Sequence, residues 1–468
     1  MTTELWRLSA TDLGAAFARG EATPVDALES ALARVAAWEP RLNALSRQNP
    51  RARDEAEASA ARWRAGAPLS PLDGVPMTVK EFLVAEGLPA TYATPGGDES
   101  PRPADELPVA RLRGAGLVTL AKTTMPEFAV QGYTASTRFG TTGNPWNPAL
   151  TPGGSTGGGV AATAAGYAPV GLGTDGGGSI RRPAAHAGLV GLKSSLGLVP
   201  RHGGLPSPLL DFEVAGAVTR TVADSRAVLD LMAGPDPRVL WSNFPRGAGR
   251  PDRPLRARYV ERLGDHPLDP VIAAACRRAL DALSGCGVAI EEGPLPVDIG
   301  ALNAAWPEIG RIGLAHLFAA DPALEAGASE PYRAMAAQGR AIPATRLWQI
   351  LDRVRTLRDA AAAAFAEIDL VLTPICAAQP WPAGEEYPPL IDGQAVGPRG
   401  HAVYSGWVNA AGLPGLSVPV DPAPDGMPIG LHLVAGYGRD HLLLDVAEAF
   451  ERARPWADRW PTLNGDAP

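Results

Sequence analysis

The sequence predicts an α/β protein with a largely parallel or mixed β-sheet. Short apolar runs of strand length recur between stretches of helical periodicity, and this alternation is the main signal. Glycine and proline clusters mark the changeovers, as in NPWNPALTPGG at 144–154. At 468 residues, 46% hydrophobic and 20% charged, the chain can bury a sizeable core and has a globular composition.

Residues 1–65 read as helical. Ser9-Ala10-Thr11-Asp12-Leu13 has the pattern of a capped helix start, and Thr23-Pro24-Val25-Asp26 repeats it with proline at the first helical position. Leu28, Leu32, Val35 and Ala36 then fall at helical spacing. Residues 70–235 read as the core region. Its expected strands are Val75–Val79, ending on Lys80, then Leu117–Ala121, Val170–Gly173 and Leu189–Leu192. Ser155–Ala168 reads as a helix of small residues able to pack close to a neighbour. Residues 240–345 turn polar and alanine-rich and are expected to form a helical segment covering the sheet. Residues 365–455 return to strands, at Asp369–Pro374, Leu416–Val420 and Ile429–Val434, before a helix over His441–Arg452. With no internal repeat and no linker composition, residues 1–468 are expected to form a single domain.

The net charge of −8 argues against a nucleic-acid partner. Three cysteines, Cys276, Cys286 and Cys376, are odd in number and lack CxxC spacing, which fits a reducing compartment and no zinc site. The seven histidines are scattered without HExxH, so no metal is expected. The opening MTTELWRLSATDL lacks the basic and apolar regions of a signal peptide. No apolar run approaches the ~18 residues of a membrane span. These features lead us to expect a cytoplasmic protein without membrane contact, as a monomer or homodimer.

Chemistry concentrates in Thr151–Ser195, TPGGSTGGGVAATAAGYAPVGLGTDGGGSIRRPAAHAGLVGLKSS. Ser155 lies in GGSTGGG at 153–159, and Ser179 follows Gly176-Gly177-Gly178. Glycine lets backbone N–H groups approach a ligand closely. A hydroxyl framed by such donors fits a nucleophile beside an oxyanion hole. Lysine is the second signal. The chain holds three, Lys80, Lys122 and Lys193, among 42 Lys and Arg residues. Arginine stays protonated, whereas a buried lysine can lose its proton and act as a base. Where arginine carries nearly all surface cations, a remaining lysine is a candidate for that role.

These residues resemble the amidase signature family of hydrolases. GGSTGGG followed by GLGTDGGGSIRRPAAHAGLVGLK tracks that family's signature over more than 40 residues. Matching segments flank it: GVPMTVK at 74–80, AKTTMPEF at 121–128, NPWNP at 144–148, NAAGLPGLSVPV at 409–420 and GLHLVAG at 430–436. The resemblance spans most of the chain and is weakest over 240–345. It implies the amidase signature fold, a large mixed β-sheet core covered by helices on both faces. It also implies a Ser-Ser-Lys triad, with Ser179 as nucleophile, Ser155 as bridging serine and Lys80 as general base. A cis Gly154–Ser155 peptide and an oxyanion hole from the N–H groups of Gly176, Gly177, Gly178 and Ser179 come with it. Thr174, Asp175 and Arg181 are expected to support the triad from behind, Arg181 by anchoring the glycine loop. Lys122 and Lys193 are expected to hold structure or a nearby carbonyl, and His186 to be a packing residue.

The implied chemistry is amide hydrolysis with no metal or organic cofactor. A serine hydroxyl attacks well only when a base takes its proton. Lys80 must therefore be neutral, its pKa brought down from ~10.4 by burial and neighbouring donors. Ser155 would relay the proton, and each glycine N–H on the oxyanion would contribute roughly 3 kcal/mol. The expected substrate is a small-molecule carboxamide with a bulky apolar or aryl group, with esters and carbamates as analogues. Segments 125–133, 300–350 and 376–407 are expected to wall the pocket. Met125, Phe128, Tyr133 and Gly154 would stand near the site, with Trp306, Trp348, Trp381, Tyr404 and Trp407 as further apolar wall.

The chain departs from the family's usual pattern at Thr156, Gly159 and Gly176, and at Glu81-Phe82, where Asp-Asn commonly follows the lysine. Pro126 stands where tRNA-dependent amidotransferase subunits typically carry Asp. Three rival readings remain. A glutamine-hydrolysing amidotransferase subunit would pass ammonia to a protein partner. An α/β-hydrolase esterase would use Ser155, since Gly153-Gly154-Ser155-Thr156-Gly157 satisfies GxSxG. The preceding NPWNPALTP, however, is a poor candidate for the strand that motif needs. A nucleotide binder lacks GxxxxGK[ST], because Leu192 separates Gly191 from Lys193.

Overall fold

The computed structural model describes residues 4–242 and 249–462. Eleven strands form one sheet. In chain order they are β1 Leu45–Gln48, β2 Pro76–Lys80, β3 Val118–Thr123, β4 Val170–Asp175, β5 Val190–Lys193, β6 Val214–Thr219, β7 Leu255–Tyr259, β8 Val288–Glu292, β9 Leu370–Pro374, β10 Gly415–Pro419 and β11 Gly430–Ala435. Across the sheet they run β1-β3-β2-β4-β6-β5-β10-β11-β9-β7-β8. β2 pairs parallel with β3 and β4, and β7 pairs parallel with β8 and β9. The remaining pairings are antiparallel, so the sheet is mixed.

Helices cover both faces. Successive side chains on a strand point to opposite sides. On β9, Leu370 and Leu372 pack into one apolar cluster with Val228 and Leu229 of helix Val222–Met232 and Leu442 and Leu443 of helix Asp440–Ala453. Val371 between them packs into another with Ile350 and Val354 of helix Ala344–Glu367. The N-terminal helices begin at the expected caps. Ser9 accepts the Asp12 N–H ahead of helix Ala10–Arg19, and Thr23 and Asp26 form a capping box ahead of Pro24–Leu42.

Four strands differ from the sequence reading, the first being β1, whose short and mostly polar LSRQ interrupts the segment 1–65 expected to be helical and pairs antiparallel with β3. Segment 240–345 is not helical throughout, because β7 and β8 lie in it and form one edge of the sheet. In β7, Leu255, Ala257 and Tyr259 are buried while Arg256 and Arg258 face outward, so charged side chains hide an ordinary period-two strand. β6 has no counterpart among the expected strands. Its sequence VAGAVT is too short and small-residued to stand out, yet it is buried throughout and pairs with both β4 and β5.

The β2–β4 pair positions the site. The two strands are parallel with Val79 opposite Leu172, so Lys80 and the Thr174-Asp175 end of β4 lie at the same edge. The carboxyl ends of parallel strands are where α/β sheets place ligands. The chain then runs through the glycine loop 176–180 into helix Arg181–Ala187.

Candidate active site

Lys80 ends β2 and is completely buried. Its Nζ donates to Ser155 Oγ at 2.8 Å and to Thr174 Oγ1 at 2.8 Å. Thr174 in turn donates to Glu213 Oε1 at 2.6 Å, and Ser207 donates to Glu213 Oε2 at 2.5 Å. Burial pushes the Lys80 amine down to about 8, against the opposing pull of the Glu213 and Asp175 carboxylates. No carboxylate touches Lys80 directly among the described residues, so the desolvation outweighs their pull.

Ser155 follows a cis Gly154–Ser155 peptide and is itself buried. A Cβ on Gly154 would stand 2.3 Å from the Tyr133 carbonyl oxygen, so only glycine fits there. The Thr156 N–H donates to the Ser179 carbonyl at 3.1 Å and ties the two glycine segments together. Ser179 lines the large cavity described below, with Gly176 and Gly177 beside it. Lys80 and Ser155 are fully buried and are not among the residues that line it.

Asp175 organises the loop. It accepts the N–H of Gly178 at 2.7 Å and of Ile180 at 3.1 Å, and the Arg181 guanidinium at 2.9 and 3.0 Å. Burial alone would raise its pKa, but the charge and hydrogen bonds of Arg181, with Asn409 and Lys193, hold it well below the carboxylate range. Arg181 is fully buried and also reaches Asn409 Oδ1 at 2.6 Å, His432 Nε2 at 2.9 Å and the Ser405 carbonyl at 3.3 Å. This network corrects one expectation. The Gly178 N–H is committed to Asp175, so Gly178 is not a free donor for an oxyanion. The N–H groups of Gly176, Gly177 and Ser179 have no protein acceptor among the described residues.

The other lysines hold carbonyls. Lys122 donates to those of Glu81, Leu83 and Pro89, and Lys193 to those of Ser194 and Leu413. Burial pushes Lys193 down to about 7. His186 is buried and packs edge-on against Trp381 at 5.9 Å, and burial followed by the Arg182 charge pushes it to about 4.

The cavity has a volume of about 750 Å³. Residues 129–132, 303–338 and 395–403 supply most of its wall. Met125, Phe128, Tyr133 and Gly154 do not line it, contrary to expectation. Met125 and Phe128 are fully buried in an apolar cluster in which Phe128 packs against Tyr92, Phe318 and Tyr332. Tyr133 gives its backbone to Gly154 instead. Of the tryptophans and tyrosines named above, Trp306 is the one on the wall. Trp381, Tyr404 and Trp407 are core residues, and Trp348 is 73% exposed. Apolar side chains look alike in sequence whether they fill a core or face a cavity. Glu213, Asn409 and His432 are site residues that the sequence reading misses. Asn409 and His432 stand in the C-terminal matching segments, which is an available signal, while nothing around Glu213 marks it.

Known proteins resemble this chain in sequence and in fold. The Amidase family model matches residues 26–444. The acylamidase of Rhodococcus erythropolis is 32% identical over 97% of this chain and 97% of its own length. A glutamyl-tRNA(Gln) amidotransferase subunit of Synechococcus sp. is 33% identical over 94% of this chain and 96% of its own. The crystal structure of a bacterial aryl acylamidase of the amidase signature enzymes superposes with a TM-score of 0.86 at 25% identity, over 96% of this chain and 97% of that one. With a family model and homologous amidases matching it over nearly its whole length, the chain belongs to the amidase family, as an amidase signature enzyme that hydrolyses amides.

Proposed function

We propose that this amidase works through an acyl-enzyme on Ser179, with Lys80 as general base and Ser155 as the proton relay. The observation that carries the reading is Lys80. It is a wholly buried amine, brought down to about 8, whose hydrogen bond runs straight to Ser155. Neutral Lys80 takes the Ser155 proton as Ser155 takes the Ser179 proton, and the Ser179 oxygen attacks the amide carbonyl. The N–H groups of Gly176, Gly177 and Ser179 are the candidates to hold the oxyanion. The C–N bond then breaks, the amine leaves with the proton returned through Ser155, and water hydrolyses the ester to a carboxylic acid. Trp306, Leu209, Met335 and Val396 on the cavity wall support an apolar or aryl group on the substrate. Esters and carbamates would react by the same acyl transfer.

Labelling with a fluorophosphonate, mapped by peptide mass spectrometry, tests this. The expected adduct is on Ser179, absent in Ser179→Ala and strongly slowed in Lys80→Ala. An adduct on Ser155, or labelling indifferent to Lys80, would overturn it.

Similarity to the tRNA-dependent amidotransferase favours a second reading, in which the same site releases ammonia from glutamine for a protein partner. Glutamine turnover that rises sharply on adding co-purifying proteins would select it over a stand-alone acylamidase.

A further inference from the structure

The cavity wall around Gly177 carries positive charge with no paired counter-charge, and some of its hydrogen-bond donors have no acceptor among the described residues. Arg182, Arg311 and Arg399 line the cavity against a single lining carboxylate, the solvent-exposed Glu386. None of these three guanidinium groups makes an ion pair among the described residues. Arg182 meets only neutral groups, with Nη1 2.9 Å from His401 Nε2 and Nε 3.4 Å from the Gly178 carbonyl. Burial, followed by the charges of Arg182 and Arg399, drives His401 well below its ordinary pKa, so the imidazole stays uncharged. Arg399 Nη2 lies 3.8 Å from where a Cβ on Gly177 would stand, and Trp306 Nε1 lies 3.4 Å from the same point. Neither group has an acceptor among the described residues. Burial and the nearby Arg182 charge push Arg399 to about 10, so it remains a cation at neutral pH.

Arg182 is buried and Arg399 half-buried, and a guanidinium drawn even partly out of water without a counter-charge costs free energy and cannot escape by losing its proton. Two placed within reach of each other repel as well. A ligand anion would offset both costs, and a carboxylate fits a guanidinium fork through paired hydrogen bonds. We propose that the cavity takes amides that carry a carboxylate, held by Arg399 and the Trp306 indole N–H beside Gly177, with Arg182 adding to the positive potential. Gly177 precedes Ser179 by two residues, a span of at most ~7 Å. With Arg399 Nη2 a further 3.8 Å from the Gly177 Cβ position, a carboxylate there is within reach of an acyl chain anchored at Ser179, and the class is half-amides of aliphatic dicarboxylic acids. The apolar wall is left for the amine.

This rests on the proposed function only in placing the scissile carbonyl at Ser179. Binding separates the two. On Ser179→Ala protein, calorimetry compares the succinic acid mono-anilide with butyranilide, which has the same carbon chain without the carboxylate oxygens and their charge. The anionic anilide is expected to bind about tenfold tighter or more, and this preference is expected to vanish with Arg399→Leu added. Arg399→Lys should retain part of it, and Trp306→Phe should weaken it a few-fold. Equal affinities, or a preference untouched by Arg399→Leu, overturn the proposal. If the unsubstituted enzyme turns over neither anilide and Ser179 takes no phosphonate, yet the binding preference stands, the catalytic reading fails and this one survives.

Discussion

Replacing Glu213 with glutamine removes a negative charge from behind Lys80 while keeping an oxygen to accept the Thr174 hydroxyl. The two hydrogen bonds in series, 2.8 and 2.6 Å, bring that carboxylate within about 5 Å of the amine. At an effective dielectric constant of ~20, a unit charge there acts with about 3 kcal/mol, or roughly 2 pH units. An anion favours the protonated amine, so its loss lowers the Lys80 pKa from about 8. The assay is the rate of Ser179 phosphonylation across pH. With a base near 8, roughly one hundredth of Lys80 is neutral at pH 6 and nine tenths at pH 9, so the rate should climb about ninetyfold between them. In Glu213→Gln the midpoint should move down by about one to two pH units, and the alkaline plateau should fall because the base is weaker. A midpoint that stays put or moves upward would refute the argument and place the controlling ionisation elsewhere.

Four other outcomes follow from the same geometry. Lys80 titrates near 8 when folded and at 10.5 when not, so over that interval the unfolded chain holds a proton the folded one lacks. Stability should therefore rise with pH across it by about 3 kcal/mol, and denaturant titrations of Lys80→Met should lack that increment. Asp175→Asn strips the counter-charge from buried Arg181 and should cost about 3–5 kcal/mol by the same titrations; a loss below about 1 kcal/mol would count against Asp175 as the loop's anchor. Gly178 has φ +109° and no room for a Cβ beside Ser405, whereas Gly177 has space, so Gly178→Ala should lower the melting temperature and Gly177→Ala should not. Phe128→Ala should destabilise by about 3–5 kcal/mol without a specific rise in KM, since Phe128 is packed in the core.

Much of the site was legible because its residues are unusual where they stand. Glycines around Ser155 and Ser179 announce backbone that must come close to something, and Lys80 is conspicuous in a chain that otherwise uses arginine. The strands carrying Lys80 and Thr174 are apolar runs, as buried parallel strands are. Other parts were not legible for definite reasons. Glu213 lies 133 positions from Lys80 and reaches it only because β6 pairs with β4, and β6 itself gives no strand signal. The Gly178 N–H looks available until Asp175 is seen turning back to accept it. The seven aromatics named for the pocket have the right character, but only Trp306 faces the cavity. Facing is a tertiary property that no local pattern encodes.

The three lysines described above are all fully buried. The folded surface among the described residues therefore offers no lysine amine to an acylating reagent. Each becomes reactive only when its surroundings part, which turns amine acylation into a clock for opening events. Lys80 would report on β2, Lys122 on the neighbouring β3 and Lys193 on β5, at three places across one sheet. The modification pattern, read residue by residue over time, would then tell whether this sheet breathes as a unit or parts at one seam.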